Sequence, residues 1–290
     1  MTIDPGAGVT ALVLLSALLH ASWNALMKRS GDSLLSIWGM TLAGGLSSAL
    51  VTPFVSFPPR EVWPLLVASQ VLHVLYMITL AYGYRVGHLN QVYPIARGLA
   101  PCIVALFAFG FAGERLGPAQ VFGLVVVAGS IASLALSAPI AVAGAPRDAR
   151  RNAVWAALLT GILIGGYSTV DAQGARGSGA ALDFIIWSFV LDIFPITLVV
   201  LALRRGELVR FVRCEAGPSA AGGLLGALAY GVVIWAMAGT AMAWVAALRE
   251  TSVIFGALIG AWVLREPFGL RRLLGGAGVA LGLILFRILP

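Results

Sequence analysis

The sequence predicts an all-α, polytopic membrane protein of ten transmembrane helices, arranged as two five-helix inverted repeats. Three observations predict it. Hydrophobic residues make up 60% of the 290-residue chain and charged residues 11%, with a mean hydropathy of +0.95. A soluble domain carries about 25% charged residues, so this chain lacks the side chains to cover a surface in water. Second, ten apolar runs follow one another, each near the length of about 20 residues that crosses about 30 Å of hydrocarbon as a helix. Third, the chain overlays itself at an offset of 152 residues with charges in register.

The runs lie near 9–28, 33–54, 63–83, 89–112, 118–138, 153–171, 181–203, 218–238, 242–264 and 269–289. The opening residues lack the basic stretch of a signal peptide, so the first run reads as a retained span. The two longest connections are 139–151 and 204–217, and the first divides the chain into a unit 1–138, a connecting loop 139–151 and a unit 152–290. Lysine and arginine favour the loops after odd-numbered spans by about three to one, which places those loops in the cytoplasm and both termini outside. The same distribution assigns the net charge of +7 to lipid headgroups rather than to nucleic acid. Glycine pairs at 161/165, 222/226, 256/260 and 278/282 mark expected close helix contacts. Cys102 and Cys214 form neither a disulfide framework nor a metal-ligand spacing.

In the self-overlay, "ARGLAPCIVALFAFGFAGERLGPAQVFG" falls on "LRETSVIFGALIGAWVLREPFGLRRLLG". Arg97 meets Arg249, Glu114 meets Glu266, Gly117 meets Gly269 and Gly123 meets Gly275. Each unit holds five spans, an odd number, so the second enters the membrane upside down. Such inverted repeats characterise secondary transporters, with the site at the midplane between the halves.

These stretches, together with "HASWNALMK" in the first span, resemble ten-span members of the drug/metabolite transporter superfamily, of the EamA type. The resemblance runs over nearly the whole chain. It implies a central cavity formed by spans one, three, four, six, eight and nine, and export of amino acids, metabolites or drugs; some relatives move nucleotide sugars or sugar phosphates. Trp23 and Asn24 match the family's WN pair. The resemblance also implies both termini inside, against the charge count, and places span seven outside the cavity, which sets Asp192 aside.

A charge in hydrocarbon costs several kcal/mol unless it meets a cavity or a partner, so intramembrane polar groups are the candidates. In span four, Asn90, Tyr93, Arg97 and Pro101 share one helical face. Pro94 and Pro101 remove backbone donors near Arg97, a setting for an anionic or carboxylate-bearing substrate; the alternative is that Arg97 snorkels to the interface. In span nine, Arg249 is a substrate candidate. Its neighbour Glu250 points about 100° away and either carries protons or neutralises an arginine of another span. Span one presents His20, Trp23, Asn24 and Lys28, with His20 able to exchange protons near neutral pH or simply to pack. Span three presents Gln70, His73, Tyr76, Met77 and Tyr84. Span six presents Tyr167, Ser168 and Asp171; overlaying "GYSTVD" on "WNALMK" sets Asp171 opposite Lys28, and Asp171 is either a coupling carboxylate or an interfacial residue ending its span. Tyr230 and Trp235 of span eight read as packing or cavity aromatics. Glu114 and Glu266 are expected to complement the dipoles of the helices that begin at "GPAQ" and "GLRR".

The substrate-binding expectation is therefore Arg97, Tyr93, Asn24, Trp23, His73, Tyr76, Tyr167 and Arg249, with Asp171, Glu250 and His20 for proton coupling. Lys28 is the sole lysine and no glycine precedes it, which excludes a P-loop; HExxH and GxSxG are absent from the sequence too. No cofactor, metal or enzymatic activity is expected. The expectation is a secondary active transporter exporting a small amphipathic metabolite by alternating access, driven by protons or exchange. Its partners are the solute and the bilayer of a bacterial inner membrane, with the protein a monomer or homodimer. Competing readings are an importer or exchanger of an anionic metabolite, a lipid-modifying intramembrane enzyme using His73 with Asp171 or His20 with Glu250, and a scaffold subunit.

Overall fold

A computed structural model of the chain describes residues 6–27, 32–86, 89–136, 147–262 and 270–288. Among these residues there are eleven α-helices and no strand. The helices are α1 (Gly6–Met27), α2 (Ser33–Ala49), α3 (Trp63–Val86), α4 (Leu89–Ala112), α5 (Pro118–Leu136), α6 (Arg147–Gly177), α7 (Ala181–Arg204), α8 (Leu208–Gly239), α9 (Met242–Arg249), α10 (Ser252–Trp262) and α11 (Leu270–Ile288). Six stretches are long and apolar enough to cross a membrane: Gly6–Asn24, Leu34–Phe54, Arg60–Val86, Pro94–Ala112, Arg151–Gly177 and Ala181–Gly239, the last taking in both α7 and α8. Shorter apolar segments occupy Pro118–Ser133 and Leu274–Arg287.

The bundle is built inside out relative to a soluble protein. Phe111 is 76% exposed and Leu198 68%, while Arg97, Arg249, Glu250, His73 and Asp171 are all buried. Apolar side chains outside and charges inside are the arrangement that a hydrocarbon solvent selects. The chain is a multi-pass integral membrane protein.

The first five helices fall on the first five apolar runs. Pro94 and Pro101 sit within α4 without ending it. Three boundaries differ from expectation. Helix α6 starts at Arg147, inside the expected connecting loop, and continues to Gly177. Asp171 is therefore an interior position, fully buried, and not the interfacial end of a span. Helix α8 starts at Leu208 and absorbs most of the connection expected at 204–217, with Pro218 inside it. The run 242–264, expected as one span, is broken between α9 and α10. There the ladder tightens: Glu250 N–H donates to Ala247 O, Thr251 N–H to Leu248 O, Val253 N–H to Glu250 O and Ile254 N–H to Thr251 O, all three residues back. The Thr251 hydroxyl also donates to Leu248 O at 2.8 Å. A threonine that bonds the backbone of its own turn competes with the α-helical ladder, and 3₁₀-type bonds narrow the helix at that point.

Helix α3 packs on α6 and α1 on α8; α4 packs on α6 and α9; α2 packs on α7 and α8, and α5 on α11. Small residues let the backbones meet. A Cβ on Gly123 would lie 2.6 Å from Gly282 O, and one on Gly282 would lie 2.7 Å from Gly123 O, so α5 and α11 touch through two glycines that admit no side chain. A Cβ at Gly161 would meet Ala96 O of α4 at 2.8 Å, and one at Gly222 would strike the Met40 side chain of α2. A Cβ on Gly256 would meet nothing within 4 Å among the described residues.

Polar residues fasten the ends. Asp32 caps α2 by accepting from Leu34 N and Leu35 N at 2.9 and 3.1 Å, and it pairs with Arg204 at the end of α7 at 3.3 Å. Arg176 near the end of α6 pairs with Glu114 at 2.9 Å and donates to Met237 O, Ala238 O and Thr240 O at the end of α8. Glu114 in turn accepts from Met242 N, the first residue of α9, at 2.9 Å. It thus complements a helix N-terminus as expected, but that of α9. The N–H of Gly117, just before α5, is taken by the Gln120 side chain instead. Glu266 and Lys28 lie outside the described residues.

Candidate functional site

Seven helices surround a cavity of ≈ 170 Å³. Helix α1 contributes His20 and Trp23, α2 Met40 and Gly44, α3 His73, Tyr76 and Met77, α6 Tyr167, α7 Phe189 and Asp192, α8 Tyr230 and Gly223, and α9 Arg249. This corrects the helix set implied by the resemblance: α2 and α7 also form the wall, and Asp192, set aside by that argument, faces the cavity. A mid-span aspartate was signal enough to include it. Helix α4 opens instead onto a smaller adjoining pocket of ≈ 20 Å³, where Arg97 meets His20, Trp23, Asn24, Tyr84 and Tyr167.

Arg97 reaches across to the broken helix. Its Nη2 lies 3.0 Å from Glu250 Oε1 and its Nε donates to Glu250 Oε2 at 3.1 Å. Nη2 also donates to Ser252 Oγ at 3.2 Å. Arg97 is 3% exposed and Glu250 0%, so the arginine does not snorkel. Of the two roles open to Glu250, the geometry displays neutralisation of an arginine from another helix. The planar guanidinium fits a carboxylate through two nitrogens, the strongest ion-pair geometry.

Arg249 ends α9, is 4% exposed and lines the large cavity. Its buried Nε has no hydrogen-bond partner among the described residues, and no described carboxylate comes within ion-pair distance of it.

The same cavity holds a second polar group. His73 Nδ1 lies 3.0 and 3.1 Å from the two oxygens of Asp192, and Nε2 lies 3.4 Å from Asp171 Oδ2. Tyr230 donates its hydroxyl to that same Asp171 oxygen. Tyr167 and Tyr230 stand edge-on to the imidazole, with centroids 4.4 and 5.8 Å away, and Tyr76 packs on Tyr167 at 5.2 Å. Each ring nitrogen of His73 thus faces a carboxylate, the arrangement that holds an imidazolium between two acceptors. Sequence reading paired His73 with Asp171 as a lipid-modifying dyad and set Asp192 aside; the chain brings all three together from three helices. The His73 and Asp171 side chains are both buried.

In α1, Trp23 Nε1 donates to His20 Nδ1 at 3.2 Å, and Asn24 Nδ2 donates to His20 O at 2.8 Å. Trp235 is 46% exposed and faces outward. The Tyr93 side chain lies outside the described residues.

Residues 8–136, which hold α1 to α5, match the model of the EamA-like transporter family. Over this part, less than half of its length, the chain is similar to that family. The EamA-like family lies within the drug/metabolite transporter superfamily, which bears out the resemblance read from "HASWNALMK" and the stretch that begins "ARGLAPCIV". In the EamA-like half, α3 supplies His73 and Tyr76, and α4 supplies Arg97. No curated protein matches the chain. Among solved structures it is similar to a protein crystal structure at 16% identity, over 98% of this chain and 97% of that one, with a TM-score of 0.70. That likeness shows a fold shared along the full length.

Proposed function

We propose that this protein is a secondary transporter that exports a small amphipathic metabolite by alternating access around the central cavity. The observation that carries the reading is the interrupted helix α9–α10, whose tightened turn sets Arg249 into the cavity wall and Glu250 against Arg97. Discontinuous helices that place charged or polar groups at the middle of the membrane are how secondary transporters build solute sites. Counted with α9–α10 as one interrupted span, the helices number ten, five on each side of 137–146. Their pairing supports two inverted halves: α3 on α6 answers α8 on α1, and α2 meets α7 as α5 meets α11. Each of these contacts has a counterpart when the halves are exchanged.

The solute contacts in this reading are Arg249, His73, Tyr76, Tyr167 and Trp23 in the large cavity, with Asn24 and Arg97 at the adjoining pocket; Tyr93 belongs to the same helix as Arg97. The His73–Asp171–Asp192 cluster carries the coupling proton, because a group with two carboxylates and one imidazole gains or loses charge with each proton. His20 and Glu250 are the remaining coupling candidates. Residence in a bacterial inner membrane, as a monomer or homodimer, completes the reading.

The test is a comparison of metabolites retained by cells with and without the protein, followed by counterflow of the enriched compounds in liposomes holding the purified chain. Accumulation on loss of the protein and saturable counterflow are expected. If no metabolite changes and the liposomes exchange none of the candidates, the transporter reading fails.

A further inference from the structure

The two arginines related by the 152-residue overlay are treated unequally by their surroundings. Arg97 is held by Glu250 and Ser252. On the overlay those two residues correspond to Gly98 and Ala100 of the first half. Neither has a side-chain acceptor, so the arrangement that satisfies Arg97 cannot be reciprocated for Arg249. One carboxylate grips one arginine of the two; the charge of the other also reaches it, but without ion-pair contact, so the three groups together keep one positive charge at the cavity.

A second donor faces the same space. His20 Nδ1 accepts from Trp23 Nε1, so the neutral ring carries its proton on Nε2. That nitrogen is buried without a hydrogen-bond partner, and His20 lines the cavity with Arg249. Arg249 lies close enough for its charge to act on the imidazole. Two buried N–H donors, one on a charged group, have no acceptor among the described residues, and each leaves a desolvation cost unmet. An oxyanion placed between them meets both.

We infer that Arg249 and His20 form a subsite for a single carboxylate, and that the transported solute is a carboxylate bearing an apolar or aromatic body. This rests on the transporter reading above. One unpaired cation plus one neutral donor suits a monoanion. A phosphate dianion would need the charge of Arg97 as well, which Glu250 already neutralises. Beyond the subsite the wall turns to Met40, Met77, Tyr76 and Trp23, surfaces that take a hydrocarbon or ring.

Four probes with one body decide it: 3-phenylpropionate, 2-phenylethylamine, phenylalanine and phenylphosphonate. Binding to the purified full-length protein in nanodiscs is read by tryptophan fluorescence, since Trp23 stands edge-on to His20 at 5.0 Å, and by thermal shift. The two carboxylates bind saturably, the amine and the phosphonate bind at least about tenfold more weakly, and Arg249→Gln removes that preference while Arg249→Lys retains part of it. His20→Ala weakens the carboxylates by several fold. Equal binding of the amine, carboxylate binding unchanged in Arg249→Gln, or no carboxylate binding at millimolar concentration overturns the subsite. Counterflow in the same preparation separates the two ideas. Carboxylate binding without flux removes the transporter reading and keeps the subsite. Flux of an amine that ignores Arg249→Gln keeps the transporter reading and removes the subsite.

Discussion

Arg97 crosses the bundle to grip Glu250 through two nitrogens, at 3.0 and 3.1 Å, with both side chains almost wholly buried. Removing one partner of such a pair strands a charge and costs about 3–5 kcal/mol. Arg97→Met is therefore expected to lower the melting temperature of the purified protein sharply. Arg249→Met removes a charge that has no ion-pair partner among the described residues and is expected to leave the melting temperature unchanged or higher. Thermal unfolding of both variants in one detergent checks the contrast. Equal losses would mean that Arg249 is compensated in a way its surroundings do not reveal.

The His73 cluster makes a different prediction. His73 bridges Asp192 and Asp171, so losing the imidazole leaves two buried carboxylates facing each other, and a proton must then stay on one of them. Asp171→Asn is expected to abolish accumulation driven by a pH gradient in liposomes while sparing solute counterflow, and His73→Ala, which also removes a solute contact, to abolish the first and weaken the second. A cluster that merely holds helices together would lose both activities in proportion to folded protein, as measured by size-exclusion chromatography.

Much of this arrangement was legible in the sequence. The apolar runs placed the helices because length and hydropathy are local properties. Charges stranded in those runs marked Arg97, Arg249, Glu250 and Asp171 as buried polar positions. What the sequence could not supply was pairing. That Glu250 would serve Arg97 depends on the packing of α4 against α9, a contact between residues some 150 positions apart. The break at Glu250–Thr251 was hidden because no proline or glycine announces it; hydrogen bonds of the turn itself produce it. Asp192 was visible as a mid-span carboxylate and was passed over only because an implied helix arrangement placed its span elsewhere.

The crossing of α5 and α11 is testable by single methyl groups. At Gly123 an added Cβ would collide with backbone atoms of Gly282 and Phe286, while at Gly129 on the same helix nothing lies within 4 Å. Gly123→Ala must push the helices apart, with an overpacking cost of about 1–3 kcal/mol. Gly129→Ala gains helix propensity and is expected to be neutral or mildly stabilising. Melting curves of the two variants should therefore shift in opposite directions or leave only the first displaced.

The corner formed by Glu114 and Arg176 joins three elements at one face of the bundle. Arg176 donates to carbonyls at the end of α8, and Glu114 accepts from the first N–H of α9. Charged hydrogen bonds of this kind contribute about 1.5–3 kcal/mol each at most, and the two side chains are 15% and 10% exposed, which reduces that figure through solvent screening. The corner leads directly into the interrupted helix that carries Arg249. If the halves rock about the cavity, the α8–α9 joint must change shape, and this latch opposes the change. Arg176→Gln is expected to lower the melting temperature modestly and to alter the maximal counterflow rate, leaving the half-saturating solute concentration near its original value. A variant that shifts solute affinity without altering rate would place Arg176 in the binding surface and remove it as a latch.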